Sequence, residues 1–559
     1  MKRFLWLSWV AFLLLIWTGC GDVFRPIIIP NPPTFPNPRA AHTVLTVNDN
    51  GSISHGSALV VDVSGDSEVS VADVGVTPVH AVQQSANQVL VVNTAVTGLN
   101  VPTTTCLVTI NNQDLNVCPS LTKLAFSSTV IGSTSTISLP IYSGANFVAL
   151  APSDTTAYVT LPTYPPDPTH PQTIVPSVGV VNTQSNTMVA TIPVQTNPFA
   201  LAVTPDKSKL YVACDPLTPG VCSMTAFNTL DRSSRAINGT LSSAPIWLSV
   251  RSDGQRVFVL EANGTLAWLD TTSTAGPDTL AETSVSVPGA TTMVYDSLLN
   301  RLYIPGGIPG GPEIAIVDVS QSAPTLLKMV PIPPFTLLNL PSVDATAAAV
   351  AALPDGSRAY AASYAVLPSD FTVSAVSGDG TTATYAYTLT AGHDLTPGVA
   401  VTVTGTGSEF DGTFLVSGIV SGTAACPGNC FQVPNATTGA GTAGSGTGSN
   451  IFPQVTVVNT SSNTIKTTAA VNGFPDATDP SSIFFVPICA TTRFRFSMGA
   501  GGDSSRAYLA SCDGGGISVI DTSTDSFLVN LPAPSSARPP IPPSVQQPPQ
   551  NPVFLIAGP

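Results

Sequence analysis

Apolar and polar residues alternate along most of this chain in runs of four to seven positions, each bounded by Gly, Pro, Asn or Asp. That is the pattern of short antiparallel strands that bury alternate side chains and are joined by tight turns. Two phrases recur. The first sets a basic residue ahead of an aromatic flanked by apolar and small residues: Lys209-Leu210-Tyr211-Val212-Ala213, Arg301-Leu302-Tyr303-Ile304, Arg358-Ala359-Tyr360-Ala361-Ala362 and Arg506-Ala507-Tyr508-Leu509-Ala510. The second is an alternating apolar run that ends in Asp or Asn and then Thr: Val178-Gly179-Val180-Val181-Asn182-Thr183, Leu266-Ala267-Trp268-Leu269-Asp270-Thr271, Val455-Thr456-Val457-Val458-Asn459-Thr460 and Ile517-Ser518-Val519-Ile520-Asp521-Thr522. Ser252-Asp253-Gly254, Pro354-Asp355-Gly356 and Asn263-Gly264 supply turns, because Asp-Gly and Asn-Gly tolerate the positive φ that tight hairpins need.

One stretch reads as four consecutive strands: Pro198 to Val203, Lys209 to Cys214, Met224 to Thr229 and Ser234 to Asn238. Tyr211, Phe258 and Tyr303 follow one another at 47 and 45 residues. Four strands at that period make one propeller blade. The corresponding second strands fall at Val89-Leu90-Val91, Tyr158, Tyr211, Phe258, Tyr303, Tyr360 and Tyr508, so the pattern predicts an all-β, seven-bladed β-propeller of four-stranded antiparallel blades. The 148 residues from Tyr360 to Tyr508 break the period. Their excess, 370–450, has strand patterns of its own at Thr381 to Thr390, Val399 to Thr404, Thr413 to Val420 and Cys430 to Val433. It is expected to be a small β module inserted in blade six, ending in a flexible Gly/Ser/Thr linker from Thr437 to Asn450. Because a ring with a bare strand edge invites foreign pairing, one of the early runs, Thr43 to Val47 or Ala58 to Val63, is expected to complete the last blade near Leu531. The Pro-rich tail, 533–559, is expected to be extended, with its apolar Val553 to Ala557 available to dock in a groove.

Composition narrows the function. The chain has 559 residues, 43% hydrophobic and 9% charged, with net charge −14 and only 19 Lys plus Arg. An acidic surface with no basic cluster interleaved with aromatics excludes a nucleic-acid partner. Met1-Lys2-Arg3 precedes an apolar run from Phe4 to Trp17 that is short for a membrane span and reads as an export signal. It ends in Trp17-Thr18-Gly19-Cys20, which resembles the bacterial lipobox, although the pattern favours Leu where Trp17 stands. The resemblance implies a signal peptide at 1–19, a lipidated Cys20 and a tether at 20–40 in which six of the thirteen residues from Pro26 to Pro38 are proline. Asp22 does not directly follow Cys20, which by the same resemblance points to the outer membrane. Propeller segments at 41–369 and 451–532 then flank the insertion.

Eight further cysteines form four local couples: Cys106–Cys118, Cys214–Cys222, Cys426–Cys430 and Cys489–Cys512. In an exported chain an even, locally paired set reads as disulfides. Zinc is not indicated, because there is no CxxC and no His beside any couple.

The phrases around Leu210-Tyr211-Val212-Ala213 and Ile517 to Thr522 resemble the YVTN β-propeller repeat, and Ala157-Tyr158-Val159-Thr160 is the nearest literal match, with Leu161 in place of the final Asn. The resemblance covers roughly 80–365 and 450–532 and implies a propeller similar to YncE-like exported proteins and, more distantly, to lactonase-type propellers. A fold of this kind does not by itself assign an activity. The repeated residues read as scaffold: tyrosines fill the space between blades, and the closing Asp or Asn with its Thr shapes a turn.

Candidate chemistry is sparse. His42, His55, His80, His170 and His393 form no HxH or HExxH pair. Asn48-Asp49-Asn50-Gly51 opens like a calcium loop but lacks its closing bidentate Glu. No GxSxG elbow occurs, and Gly444-Ser445-Gly446-Thr447-Gly448 does not join a strand to a helix as a phosphate loop would. No catalytic, cofactor or metal residue is assigned. The sequence therefore points to a monomeric, membrane-tethered, non-catalytic binding or scaffold protein of the bacterial cell envelope. It would sit on the periplasmic or surface face of the outer membrane, with a protein or polysaccharide ligand. The alternative is an envelope enzyme of lactonase-like or dehydrogenase-like type, with carboxylates, His or Asn from several blades converging on the central channel.

Overall fold

A computed structural model of the chain describes residues 43–50, 55–95, 107–110, 113–116, 118–127, 130–164, 173–214, 224–308, 311–334, 345–392, 395, 399–423, 426–471, 496–512, 516–532 and 551–557. Every regular element among them is a strand. The strands form eight antiparallel four-stranded blades rather than seven. Seven of these occupy 78–138, 148–193, 198–235, 245–286, 294–331, 346–470 and 496–532. The remaining blade, counted as the first, is built from Thr43–Asp49, Ser57–Asp62 and Ser67–Asp73 with the C-terminal strand Asn551–Ala557 as its innermost member. Inner strands of successive blades contact one another in order, and the last contacts the first, which closes the ring.

The first blade escaped the tyrosine count because its second strand, Thr43–Asp49, carries neither the aromatic nor the basic residue of the phrase. Closure also runs opposite to expectation. The last blade already owns four strands, Phe496–Ala500, Arg506–Ser511, Gly516–Asp521 and Ser526–Pro532. The C-terminal segment instead crosses to the first blade and pairs Val44↔Ala557 through Asp49↔Asn551. Pro552 fits there because an innermost strand leaves one edge unpaired, so a missing N–H costs little. The same reasoning explains the prolines that open three other inner strands, Pro78–Ser85, Pro198–Val203 and Pro245–Val250. Gly499 on the neighbouring inner strand makes room for the closing strand, since a Cβ there would meet Leu555 Cδ2 at 2.2 Å and force that side chain to shift.

The insertion lies in the seventh blade of the eight. Strand Arg358–Asp379 leaves the blade as one 22-residue element, paired from Arg358↔Asn459 to Val373↔Gly444 with the 16-residue strand Gly444–Asn459. The tract expected to be a flexible linker is thus largely strand. Its glycines answer to packing: a Cβ on Gly446 would meet the Phe371 ring at 2.4 Å. The module has its own core, in which Tyr385 stacks on Phe431 at 4.8 Å between Phe371, Val401 and Phe410.

The recurring phrases meet between blades. Tyr211, Tyr303, Tyr360 and Tyr508 are fully buried. The closing Asp or Asn makes an Asx turn, as in Asp270 Oδ1 accepting the Thr272 N–H at 2.9 Å and Asp521 Oδ1 accepting the Ser523 N–H at 2.8 Å. The following Thr ties that turn to another turn of its own blade: Thr460 to Gly356 O, Thr522 to Ser504 O, Thr183 to Thr155 O. Its carbonyl then receives the basic residue of the preceding blade. Lys209 Nζ donates to Thr271 O at 2.6 Å, Arg301 Nη1 to Thr460 O at 2.6 Å, and Arg358 Nη1 to Thr522 O. Arg506 of the last blade forks onto Asp66 of the first at 2.9 and 3.0 Å. Each basic side chain is a latch joining one blade to the next.

Candidate functional site

The latch recurs at most of the described junctions. From the second blade to the third, Lys123 supplies it from a different strand, donating to Thr183 O at 2.8 Å. From the fifth to the sixth, Arg251 and Arg256 reach Val319 O and Ser322 O, each at 3.0 Å. Two junctions lack it: the first blade, whose strands contain no Lys or Arg, brings no cation to the second, and the third brings none to the fourth. Thr156 heads the strand Thr156–Leu161 where Lys209 heads Lys209–Cys214. The acceptor side has changed as well. The left-handed turn position held by Asp66, Asn463 and Asp525 in other blades, with φ of 47°, 53° and 54°, is held in the fourth blade by Arg232 at φ 62°.

A groove of about 530 Å³ opens between the third and fourth blades. Asp154, Thr156 and Tyr158 of the third blade form one wall, and Lys207, Thr229 and Arg232 of the fourth form the other. Val189 and Leu230 stand on opposite sides of it, 53% and 97% exposed. Asp154 is held by the N–H groups of Thr155 and Thr156, at 2.7 and 3.3 Å, and lies 3.7 Å from Lys207 Nζ. Asp231 is closed into its own turn by the Ser233 N–H and hydroxyl, at 3.0 and 2.7 Å. The Tyr158 phenol is held above its ordinary range by burial and then by the Asp154 charge, against which Arg232 acts in the opposite sense. The Arg232 guanidinium has no hydrogen-bond or ion-pair partner among the described residues.

The central channel carries different chemistry. His80 of the second blade stacks on Phe147 of the third at 3.9 Å and leans on Phe554 of the closing strand at 4.6 Å. Phe147 meets Trp247 of the fifth blade edge-on at 5.8 Å. Rings from four blades thus gather where a catalytic channel would need converging carboxylates and imidazoles. Among the described residues no group of three or more His, Cys, Asp or Glu is placed to hold a metal ion. His55 contacts Val74 O through Nδ1 at 3.0 Å, while His42, His170 and His393 lie outside the described residues. Asn48 and Asn50 donate to Ser57 Oγ at 3.2 Å and His55 O at 3.0 Å.

Of the cysteine couples, Cys426–Cys430 is bonded. Cys118 and Cys512 are each disulfide-bonded, and Cys214 is buried. Their expected partners Cys106, Cys489 and Cys222, and the lipidation candidate Cys20, lie outside the described residues.

A carboxyl pair that the sequence did not reveal sits at the fifth blade. Glu261 is fully buried, with Oε2 accepting the Ser243 N–H at 2.6 Å and the Ser242 hydroxyl at 3.1 Å. Glu282 accepts the Ser242 N–H alongside it. Burial first, and the Glu282 charge in addition, raise the Glu261 carboxyl above its ordinary 4.5. A raised carboxyl favours folding below the unfolded value and loses that contribution as pH rises through the folded value. Glu261→Gln should therefore match the native chain near pH 4 and exceed its unfolding free energy at pH 7. Urea titrations of both proteins across that range check this, and a constant difference between them contradicts it.

No protein-family model and no curated protein matches the chain. Among solved structures it is similar to apo AztD from Citrobacter koseri, at 9% identity over 92% of this chain and 97% of that one, with a TM-score of 0.45. It is also similar to Kuenenia stuttgartiensis hydrazine synthase, at 12% identity over 80% and 96%, TM-score 0.40. A functionally unknown protein from Desulfotomaculum acetoxidans DSM 771 matches at 13% identity over 57% and 88%, TM-score 0.39. The propeller assignment stands on the strand pairing of the chain itself.

Proposed function

We propose that this chain is an exported, lipid-anchored β-propeller acting as a non-catalytic binding protein at the bacterial cell envelope, with the groove beside Tyr158 as its ligand site. One observation carries the reading: the polar residues that recur from blade to blade are used in joining blades, and an open groove lined by Arg232, unpartnered among the described residues, lies between the third and fourth blades, where that joining is omitted. The lipobox-like Trp17-Thr18-Gly19-Cys20 behind a basic and then apolar leader supports the anchor, and the YVTN-like phrases support kinship with exported propellers. The proline-rich stretch at 20–40 would hold the ring clear of the outer membrane.

The test uses the full chain and Cys20→Ala in a bacterial host fed an alkyne fatty acid. The native chain should take up the label and fractionate with membranes, and the variant should lose the label. Equal labelling of both, or none of either, overturns the anchor. Metal-dependent turnover of lactones by the purified protein would overturn the non-catalytic part in favour of the channel-enzyme alternative.

A further inference from the structure

We propose that the groove between the third and fourth blades is a reversed latch that accepts the carboxylate of a short acidic peptide segment flanked by apolar residues. At the junctions after the sixth and seventh blades the preceding blade brings a cation to a carbonyl and an acidic or amide acceptor on the next: Arg301 meets Thr460 O and Asn463 Oδ1, and Arg358 meets Thr522 O and Asp525. Here the donor position holds the short Thr156 and the acceptor position holds a guanidinium. The charge that completes this junction is therefore an anion, and no side chain of the described residues supplies it.

The other charges in the groove are already answered. Lys207 lies against Asp154, and Asp231 is satisfied within its turn. Arg232 is left with its planar fork, the geometry that suits a carboxylate better than a point cation would. The Thr156 and Tyr158 hydroxyls stand in the same wall as further donors. What flanks the anion is apolar: Leu230 is almost fully exposed on one lip and Val189 half-exposed on the other. Solvent-exposed leucine beside an unanswered arginine fits a peptide carrying Asp or Glu between aliphatic residues, more closely than it fits a hydroxyl-rich saccharide.

This inference rests on the binding reading, not on the anchor: failure of fatty-acid labelling would leave it intact, and its own failure would leave the anchor intact. The probe is dye-labelled acetyl-Ala-Leu-Glu-Leu-Ala-amide, with Gln and Lys counterparts, titrated by fluorescence anisotropy against the full chain. The Glu peptide should bind saturably and more tightly than either counterpart. Arg232→Gln should weaken it roughly tenfold or more, the value of one charge-assisted contact, while leaving the Gln peptide unchanged. Thr156→Lys combined with Arg232→Asp should rebuild the cation–acid latch that Arg358 and Asp525 make elsewhere, and abolish binding without lowering the melting temperature. Leu230→Asp, on a side chain 97% exposed, keeps the test meaningful if the Thr156 variant folds poorly, and should also abolish binding. Equal affinity for the Glu and Lys peptides, or indifference to Arg232→Gln, overturns the proposal. So does Arg232-dependent binding of oligogalacturonate by a protein that ignores the peptides.

Discussion

A chain ending at residue 550 should lose its cooperative native state or unfold at far lower denaturant than the full protein. The missing strand, Asn551–Ala557, is the inner member of the first blade and pairs along Thr43–Asp49. Val553 and Leu555 are each 3% exposed. Burying two such aliphatic side chains is worth about 3–6 kcal/mol, before the lost ladder or the Phe554 ring in the channel is counted. That is comparable with the whole stability of a typical domain, about 5–15 kcal/mol. Truncation would also bare the long apolar edge of Thr43–Asp49 and remove the Leu555 N–H bond to Ser497 Oγ, 3.0 Å, that ties the last blade to the first. The measurement is urea unfolding of the full and truncated chains by far-ultraviolet circular dichroism. A synthetic peptide of residues 551–559 added in trans should recover part of the lost midpoint by strand addition. An unchanged midpoint would refute closure by this strand, and a lower midpoint with no rescue would mean that covalent attachment is essential.

Much of this architecture is legible in the sequence, because strand and turn patterns are local. The second-strand tyrosines and the Asp-Thr turns fall where alternation and turn chemistry place them. What resisted reading was non-local. The first blade and its closing strand are separated by about five hundred residues, so no window contains both, and Thr43–Asp49 lacks the aromatic that marks its counterparts. The glycines from Gly444 to Gly448 resembled a linker, yet a Cβ on each would meet a neighbour: Thr404 O at Gly444, Phe371 at Gly446 and Leu395 at Gly448. The groove was hidden for a related reason. Its signal is a departure from a pairing between blades: Thr156 for a basic residue at one place, and Arg232 for an acid or amide some seventy-six residues later. Each looks ordinary alone. Only when the latch is known to join the two positions does their joint change become visible.

The latch itself makes the second large prediction. Asp278 is fully buried and accepts Lys209 Nζ and the Tyr211 hydroxyl, both at 2.7 Å, with Arg235 Nη2 at 3.4 Å. Burial, and then the bond to Asp278, drive the Tyr211 phenol well above its ordinary range, so the ring stays a neutral donor. Asp278→Ala would strand two cations between the fourth and fifth blades, and removing one partner of such a buried cluster costs about 3–5 kcal/mol. Asp278→Asn should cost less, since the amide oxygen still accepts from Tyr211 or Lys209, but it leaves both positive charges unanswered. An exposed pair provides the contrast: Lys207→Ala, which breaks a 3.7 Å contact with Asp154 at the surface, should cost no more than about 1 kcal/mol. Lys209→Met combined with Asp278→Ala should cost less than the sum of the single changes, because the second removes a charge that the first has already stranded. Additive losses in urea unfolding would mean that the two side chains act independently. Because Asp525 gathers Arg358, Lys466 and Tyr360 in the same way between the seventh and eighth blades, Asp525→Ala should reproduce the Asp278→Ala loss. A loss at one junction without the other would show that the repeated geometry does not carry a repeated energy.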